Sequence, residues 1–215
     1  MDLTHKSLAH NYFSSADKES ISQAVARAEA RSSGEIATMV VSESDRYREA
    51  EALGALLLSG FVGVAVAVLL HHVTIWTYIP VVFLLYFPLL FFFRRFPHLK
   101  LSFVGPRRLA EAVSERALVA FYQQGLYRTR KETGILIFIS LLERKVWIVG
   151  DRGINEKIPP GYWKTLAERL AQGLRDGRGA QAVCEVIEAC GNELERHFPR
   201  GEDDRNELSD ELIIS

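Results

Sequence analysis

Two long apolar runs break the otherwise mixed pattern of the chain. Ala52 to Leu70 is 19 residues without a charge, and Val73 to Phe93 is 21 more, with only His71-His72 between them. At a helical rise of about 1.5 Å per residue the runs extend about 28 and 31 Å, close to a bilayer's hydrocarbon thickness of roughly 30 Å. A backbone in lipid must satisfy its own hydrogen bonds, so the pattern predicts two transmembrane helices in a tight hairpin. A soluble core helix of this length would carry a polar face, and these runs carry none. Pro80 and Pro88 are expected to kink the second helix. The spans hold no charged residue, which argues against a pump or an ion channel.

The remaining segments alternate between helical and strand periodicity. Residues 1–15 read as a short interfacial or frayed segment. Ser15 is the expected cap of a helix reaching about Ser32, with Ile21, Val25 and Ala28 on one face and Glu19 in its first turn. Glu35 to Ser42 (EIATMVVS) reads as a strand. Beyond the hairpin, Gly105-Pro106 opens a helix with Leu109, Val113, Ala117 and Phe121 on one side. Ile135 to Leu142 (ILIFISLL) is a continuous apolar run, as expected of a central strand buried on both faces. Glu143-Arg144 leads tightly into Lys145 to Val149 (KVWIV), predicting an antiparallel hairpin. A helix with Trp163, Leu166, Leu170 and Leu174 follows Pro159-Pro160. The last helix, about Ala180 to His197, places Val183, Ile187, Cys190 and Leu194 inward. This order fits a small mixed sheet with helices on its faces. The first strand has no partner before the hairpin, so it must pair with strands beyond it, parallel to the second strand. The domain plan is therefore residues 1–15, a discontinuous domain of 16–51 plus 100–200, the hairpin 52–93, and an acidic tail 201–215.

Charge adds sidedness. The 26 basic and 27 acidic residues nearly cancel, so no nucleic-acid footprint is expected. Arg94, Arg95, Lys100, Arg107 and Arg108 follow the second span without an acid, and Arg46 and Arg48 precede the first. The turn between the spans has neither Lys nor Arg. By the positive-inside rule both termini are cytoplasmic, in an inner-membrane protein with two spans. The basic segment could also meet anionic head groups of the bilayer. The first 20 residues lack the apolar stretch of a signal peptide. Cys184 and Cys190 are six apart on a predicted helix, about 9 Å between Cα atoms, too far for a disulfide; two free thiols suit the cytoplasm.

Several motifs together resemble the TPM-domain family: TGILIFISLLERKVWIVGDRGI at 133–154, Trp163 in the next helix, HFP at 197–199 and DDRNELSDELI at 203–213. The family takes its name from a plant thylakoid lumen protein, a photosystem repair factor and a nematode receptor modulator. The chain is most similar to a bacterial membrane branch in which a two-span hairpin follows a GEI first strand and an SD-x-Y motif, here Gly34-Glu35-Ile36 and Ser44-Asp45-Arg46-Tyr47. Ser209 stands where that branch usually has Pro. The resemblance implies an α/β fold, a three-layer α/β/α sandwich interrupted by the transmembrane hairpin. It also implies the acid phosphatase activity and divalent-metal binding attributed to lumenal relatives, and it makes LemA-type membrane proteins a candidate partner.

The expected topology gathers three loops at the edge of the sheet away from the membrane: Ser32 to Glu35, Lys131 to Gly134 and Gly150 to Gly153. Glu35, Glu132, Asp151 and Arg152 would meet there. Glu35 and Asp151 are the candidate ligands for calcium or magnesium, and Arg152 the candidate anion-binding residue. A second set, Glu43, Asp45 and Glu143, is expected at the membrane-proximal edge, where open α/β sheets often bind ligands. The chain has no phosphate loop, no GxGxxG, no G-x-S-x-G elbow, no HExxH and no CxxC pair. The first functional expectation is a membrane-anchored interaction or assembly module without catalysis. The alternative is a divalent-metal-dependent, acid-phosphatase-like hydrolase.

Overall fold

A computed structural model describes residues 3–70, 74–129, 131–201 and 209–215. The His71-His72 turn and residues 202–208 of the acidic tail lie outside the described residues. In chain order the elements are α1 (Leu3–Tyr12), α2 (Ser15–Glu29), β1 (Ile36–Val41), α3 (Arg48–Leu69), α4 (Ile75–Arg95), α5 (Pro97–Lys100), α6 (Pro106–Gln123), β2 (Ile135–Ser140), β3 (Lys145–Gly150), α7 (Arg152–Asn155), α8 (Tyr162–Arg175), α9 (Gly179–His197) and β4 (Ile213–Ile214). They form two compact units, one of residues 1–44 with 110–215, the other of residues 45–109.

The first unit is built on a four-stranded mixed sheet of order β3-β2-β1-β4. β1 and β2 pair in parallel from Ile36 with Ile135 to Val41 with Ser140. β2 and β3 pair antiparallel, from Ile135 with Gly150 to Ser140 with Lys145. Both inner strands are buried along their whole length, as their unbroken apolar sequences require. Alternate residues face opposite ways. Ile36, Val40, Ile135, Ile137 and Ile139 join a core with α2, α8 and α9. Ala37, Met39, Leu136 and Phe138 pack against Val113, Ala117 and Phe121 of α6. The result is the expected α/β/α sandwich.

Four details differ from the sequence reading. Residues 3–12 form a helix rather than a frayed segment, and Ala9 and Phe13 are buried in the core. The cap of α2 is Ser14, not Ser15: its hydroxyl accepts from Asp17 N–H while Asp17 accepts from Ser14 N–H. This is a capping box, closed by Asp17. The β2–β3 connection takes the four residues Leu141 to Arg144, closed by Arg144 at φ 52°. The end of the acidic tail is a strand: β4 pairs in parallel with β1, Met39 with Ile213 and Val40 with Ile214.

Two sequence motifs acquire plain structural roles. A Cβ at Gly34 would stand 2.4 Å from Leu194 Cδ2, so glycine lets α9 close on the start of β1. The HFP segment reaches the same place, where Phe198 O accepts from Ser33 N–H at 2.9 Å.

In the second unit α3 and α4 lie side by side, with Gly63 against Val82 and Tyr78. α3 has 22 residues and reaches a mean hydropathy of 2.4 over its most apolar 18, and Tyr78–Arg95 has 18 at 1.5; both are long and apolar enough to cross a membrane. Pro80 and Pro88 lie inside α4. Their surfaces are apolar outward, with Phe61, Leu69, Trp76, Phe83 and Leu84 exposed.

The Ser14 cap is directly testable. Ser14→Ala should lower stability by about 1 kcal/mol and Ser14→Gly by only a few tenths, measured as denaturation of the full chain in detergent.

Candidate functional site

The loops at the amino ends of β1 and β2 and the carboxyl end of β3 do gather. Ile135 N–H donates to Glu35 O at 2.8 Å, and Asp151 N–H to Gly134 O at 2.8 Å. Thr133 Oγ1 donates to Ser33 O at 3.1 Å, and Lys131 Nζ to Ser33 Oγ at 3.2 Å. These bonds also show that β2 stands between the two expected ligands. Glu35 is bonded through its backbone to one side of β2 and Asp151 to the other, about 9–10 Å apart by strand spacing. Among the described residues no group of three or more His, Cys, Asp or Glu side chains is arranged to hold a metal ion.

The side chains have separate employments. Asp151 caps α7, its Oδ1 accepting from Arg152 N–H at 2.8 Å. Its Oδ2 is buried and has no hydrogen-bond partner among the described residues, which is costly for a carboxylate. Arg152 points to solvent and donates through Nε to Glu156 Oε1 at 3.1 Å. That hydrogen bond and the Glu156 charge, then Glu132, push its pKa up. Beside it, a Cβ at Gly153 would stand 2.3 Å from Lys131 O and 2.8 Å from Glu132 O. Only glycine lets the two carbonyls come this close, and Glu132 itself has φ 55°.

At the opposite end of the sheet, Glu143 is buried and accepts from Ser44 N–H at 2.9 Å and from the Ser140 hydroxyl. It closes the carboxyl ends of β1 and β2. Asp45 belongs to the second unit, where it pairs with Arg108. Glu43 is half-buried at the end of the first unit's opening segment.

The second unit has its own polar centre. Tyr47 is fully buried with φ 48°. Lys100 Nζ and Arg108 Cζ stand 6.0 and 5.9 Å from its ring centroid. Lys100, also buried, donates to Arg46 O at 2.7 Å and Glu51 Oε1 at 3.3 Å. Arg94 reaches Glu51 Oε2 at 3.4 Å. Asp45 and Tyr47 of the SD-x-Y motif thus meet Arg108 and Lys100 of the basic segment after the second span, two stretches that the sequence presents as separate signals.

Two further features escaped the sequence. Glu29, at the end of α2, accepts from Ile36 N–H at 2.8 Å and is hydrogen-bonded to Asp210 in the segment before β4. Burial, then the charges of Glu35 and Asp210, push its pKa to about 9 against the Ile36 N–H bond. It therefore holds a proton at neutral pH and joins α2, β1 and the tail. The other feature is a groove of about 320 Å³ along β3, lined by Ser114, Glu115 and Leu118 of α6, by β3 from Trp147 to Gly150, and by Asn155 and Trp163.

Residues 103–193 match the TPM domain family, across α6, β2, β3, α7, α8 and most of α9. The match covers less than half of the chain. Among solved structures, its fold is similar to the NMR structure of BA42 protein from the psychrophilic bacterium Bizionia argentinensis. That likeness has a TM-score of 0.58 at 19% identity, covering 94% of this chain and 95% of the other. At that identity it is a likeness of fold. A search of curated proteins finds no match.

The Glu29 proton sets a pH dependence for the first unit. Between its ordinary value of 4.5 and about 9 the folded chain holds a proton that the unfolded chain releases. Stability therefore falls as pH rises across this window, by at most about 1.4 kcal/mol per pH unit. Glu29→Gln should flatten that slope, measured as melting temperature against pH.

Proposed function

We propose that the protein is a TPM domain anchored in the inner membrane by two spans, with both termini cytoplasmic, that works as an interaction or assembly module. The observation carrying this reading is the outward side of α6. Its inner face is packed against the sheet, yet Leu118, Val119 and Tyr122 are exposed on the other side, Leu118 at 49% and Tyr122 at 57%. The Tyr127 ring extends them, 5.4 Å from that of Tyr122. A solvated helix would place polar residues there, and contiguous exposed apolar surface marks interaction sites. The apolar exteriors of α3 and α4 support the anchor, and the basic residues flanking them support its orientation. A membrane protein of LemA type is a candidate for the partner.

A second reading is favoured by Asp151 alone. Its buried Oδ2, without a partner among the described residues, and the crowded carbonyls of Lys131 and Glu132, the latter also accepting from Ile154 N–H at 3.3 Å, are hard oxygen donors of the kind calcium and magnesium take. They would hold such a cation, with Glu35 outside the set because β2 intervenes. The bound cation would polarise a phosphoryl oxygen of a phosphomonoester. Arg152, already paired with Glu156, would be a reserve charge for the substrate at most.

Three measurements separate these readings. A cysteine replacing His72 should be labelled from outside intact cells and one replacing Gly201 protected; the reverse would overturn the orientation. A photoreactive side chain at Tyr122 should give a discrete heavier adduct in intact membranes, with none from Lys164 on α8. Equal adducts at both positions, or none, would remove the interaction reading. Titration with millimolar calcium or magnesium should raise the melting temperature of the parent but not of Asp151→Asn if the cation reading holds, since a ligand of the native state stabilises it. Hydrolysis of a generic phosphomonoester should then be abolished by chelator. An unshifted parent discards that reading.

A further inference from the structure

β3 is the outermost strand of the sheet, with β2 on one side. The direction of each backbone group follows from the register. Asp151 N–H bonds to Gly134 O across the β2–β3 pair, whereas Ile135 N–H is directed to Glu35 O on the other side of β2. Antiparallel pairs alternate. Val149, Trp147 and Lys145, opposite Leu136, Phe138 and Ser140, are thus the residues that exchange bonds with β2. The N–H and C=O groups of Val146, Ile148 and Gly150 point to the open edge. Asn155 Nδ2 occupies Gly150 O at 2.6 Å, and Trp163 Nε1 holds Asn155 in place at 2.7 Å. Val146 and Ile148 keep both groups, four in all, and no backbone bond from another described element reaches them.

An edge of this kind is normally blunted by a charge, a proline or a bulge. β3 has no proline and a single charge, Lys145 at its first position, and its register with β2 runs without a bulge. Trp147 is 42% exposed on it, beside the exposed Leu118.

The four groups are self-complementary. If Val146 lies opposite Ile148 of a second copy, and Ile148 opposite its Val146, all four are used in an antiparallel pair about a two-fold axis. The two Trp147 side chains then face each other at the axis, in the close non-hydrogen-bonded position. Lys145 of each copy falls opposite Val149 of the other. Lys145, Trp147 and Val149 share one face of the strand, the face toward α6, where Val149 packs. Glu115 lines the groove there, so each incoming Lys145 meets an acid. The next two-fold register, centred on Ile148, would need the Gly150 carbonyl that Asn155 has taken. We propose that β3 pairs with β3 of a second copy about Trp147, joining two sheets into one of eight strands.

The full chain in detergent, with Cys184 changed to serine, provides the test. Cys190 is buried and can stay. Opposed Cα atoms at a non-hydrogen-bonded pair are about 4.5 Å apart, within the span a disulfide bridges. Trp147→Cys should therefore form a covalent dimer under mild oxidation at least tenfold faster than Lys145→Cys, whose two copies lie several residues apart along the strands. Light scattering of the unmodified chain at tens of micromolar should report a dimer. Trp147→Glu, which puts like charges face to face at an exposed position, should weaken it at least tenfold while leaving the melting temperature within a few degrees. A monomeric parent, equal crosslinking at both positions, or a Trp147→Glu dimer of parental strength would each overturn the proposal.

Discussion

The parallel ladder between β1 and β2 is the constraint on which the rest of the first unit depends. Its two strands lie on opposite sides of the membrane-type hairpin in sequence, so every bond in it closes a loop through residues 45–109. Such a loop has an entropic cost that local contacts cannot offset. The offset comes from burial. Ile36 to Val41 and Ile135 to Ser140 are buried on both faces, and a fully buried branched or aromatic side chain contributes about 1.5–3 kcal/mol each. The sandwich forms because α6 covers one face and α1, α2, α8 and α9 the other.

Ionisable groups are buried at the points where separate segments must be held together. Glu143 fastens the ends of β1 and β2 through Ser44 and Ser140. Glu29 ties α2 to the start of β1 and, as a neutral acid, to Asp210. Lys100 and Glu51 form a buried pair at the base of α3, braced by Tyr47. Buried pairs of this sort add little net stability against an apolar substitute, but losing one partner is severe because the other is left uncompensated. They therefore specify which segments meet. The polar motifs read more simply this way: Asp45, Tyr47, Glu143 and Asp210 hold the chain together across long separations. The exposed chemistry lies elsewhere, on the outward side of α6 and along the open edge of β3.

The sequence by itself determined the elements whose periodicity is strong. The uncharged runs, the apolar strand ILIFISLL, the β2–β3 hairpin and the inward faces of α6, α8 and α9 were legible because burial imposes a regular pattern on neighbouring residues. The gathering of the three loops at one end of the sheet was also legible, since a parallel crossover leaves little choice of edge. Only the tertiary structure decided what those loops could do. It interposed β2 between Glu35 and Asp151, turned Arg152 toward Glu156, and gave the Asp151 carboxylate to the cap of α7. The tail's last residues as a strand, the Glu29–Asp210 contact and the open edge of β3 were likewise invisible in sequence. Each is a meeting of residues far apart in the chain, and hydrogen-bond direction and desolvation leave no periodic trace in the residues on either side.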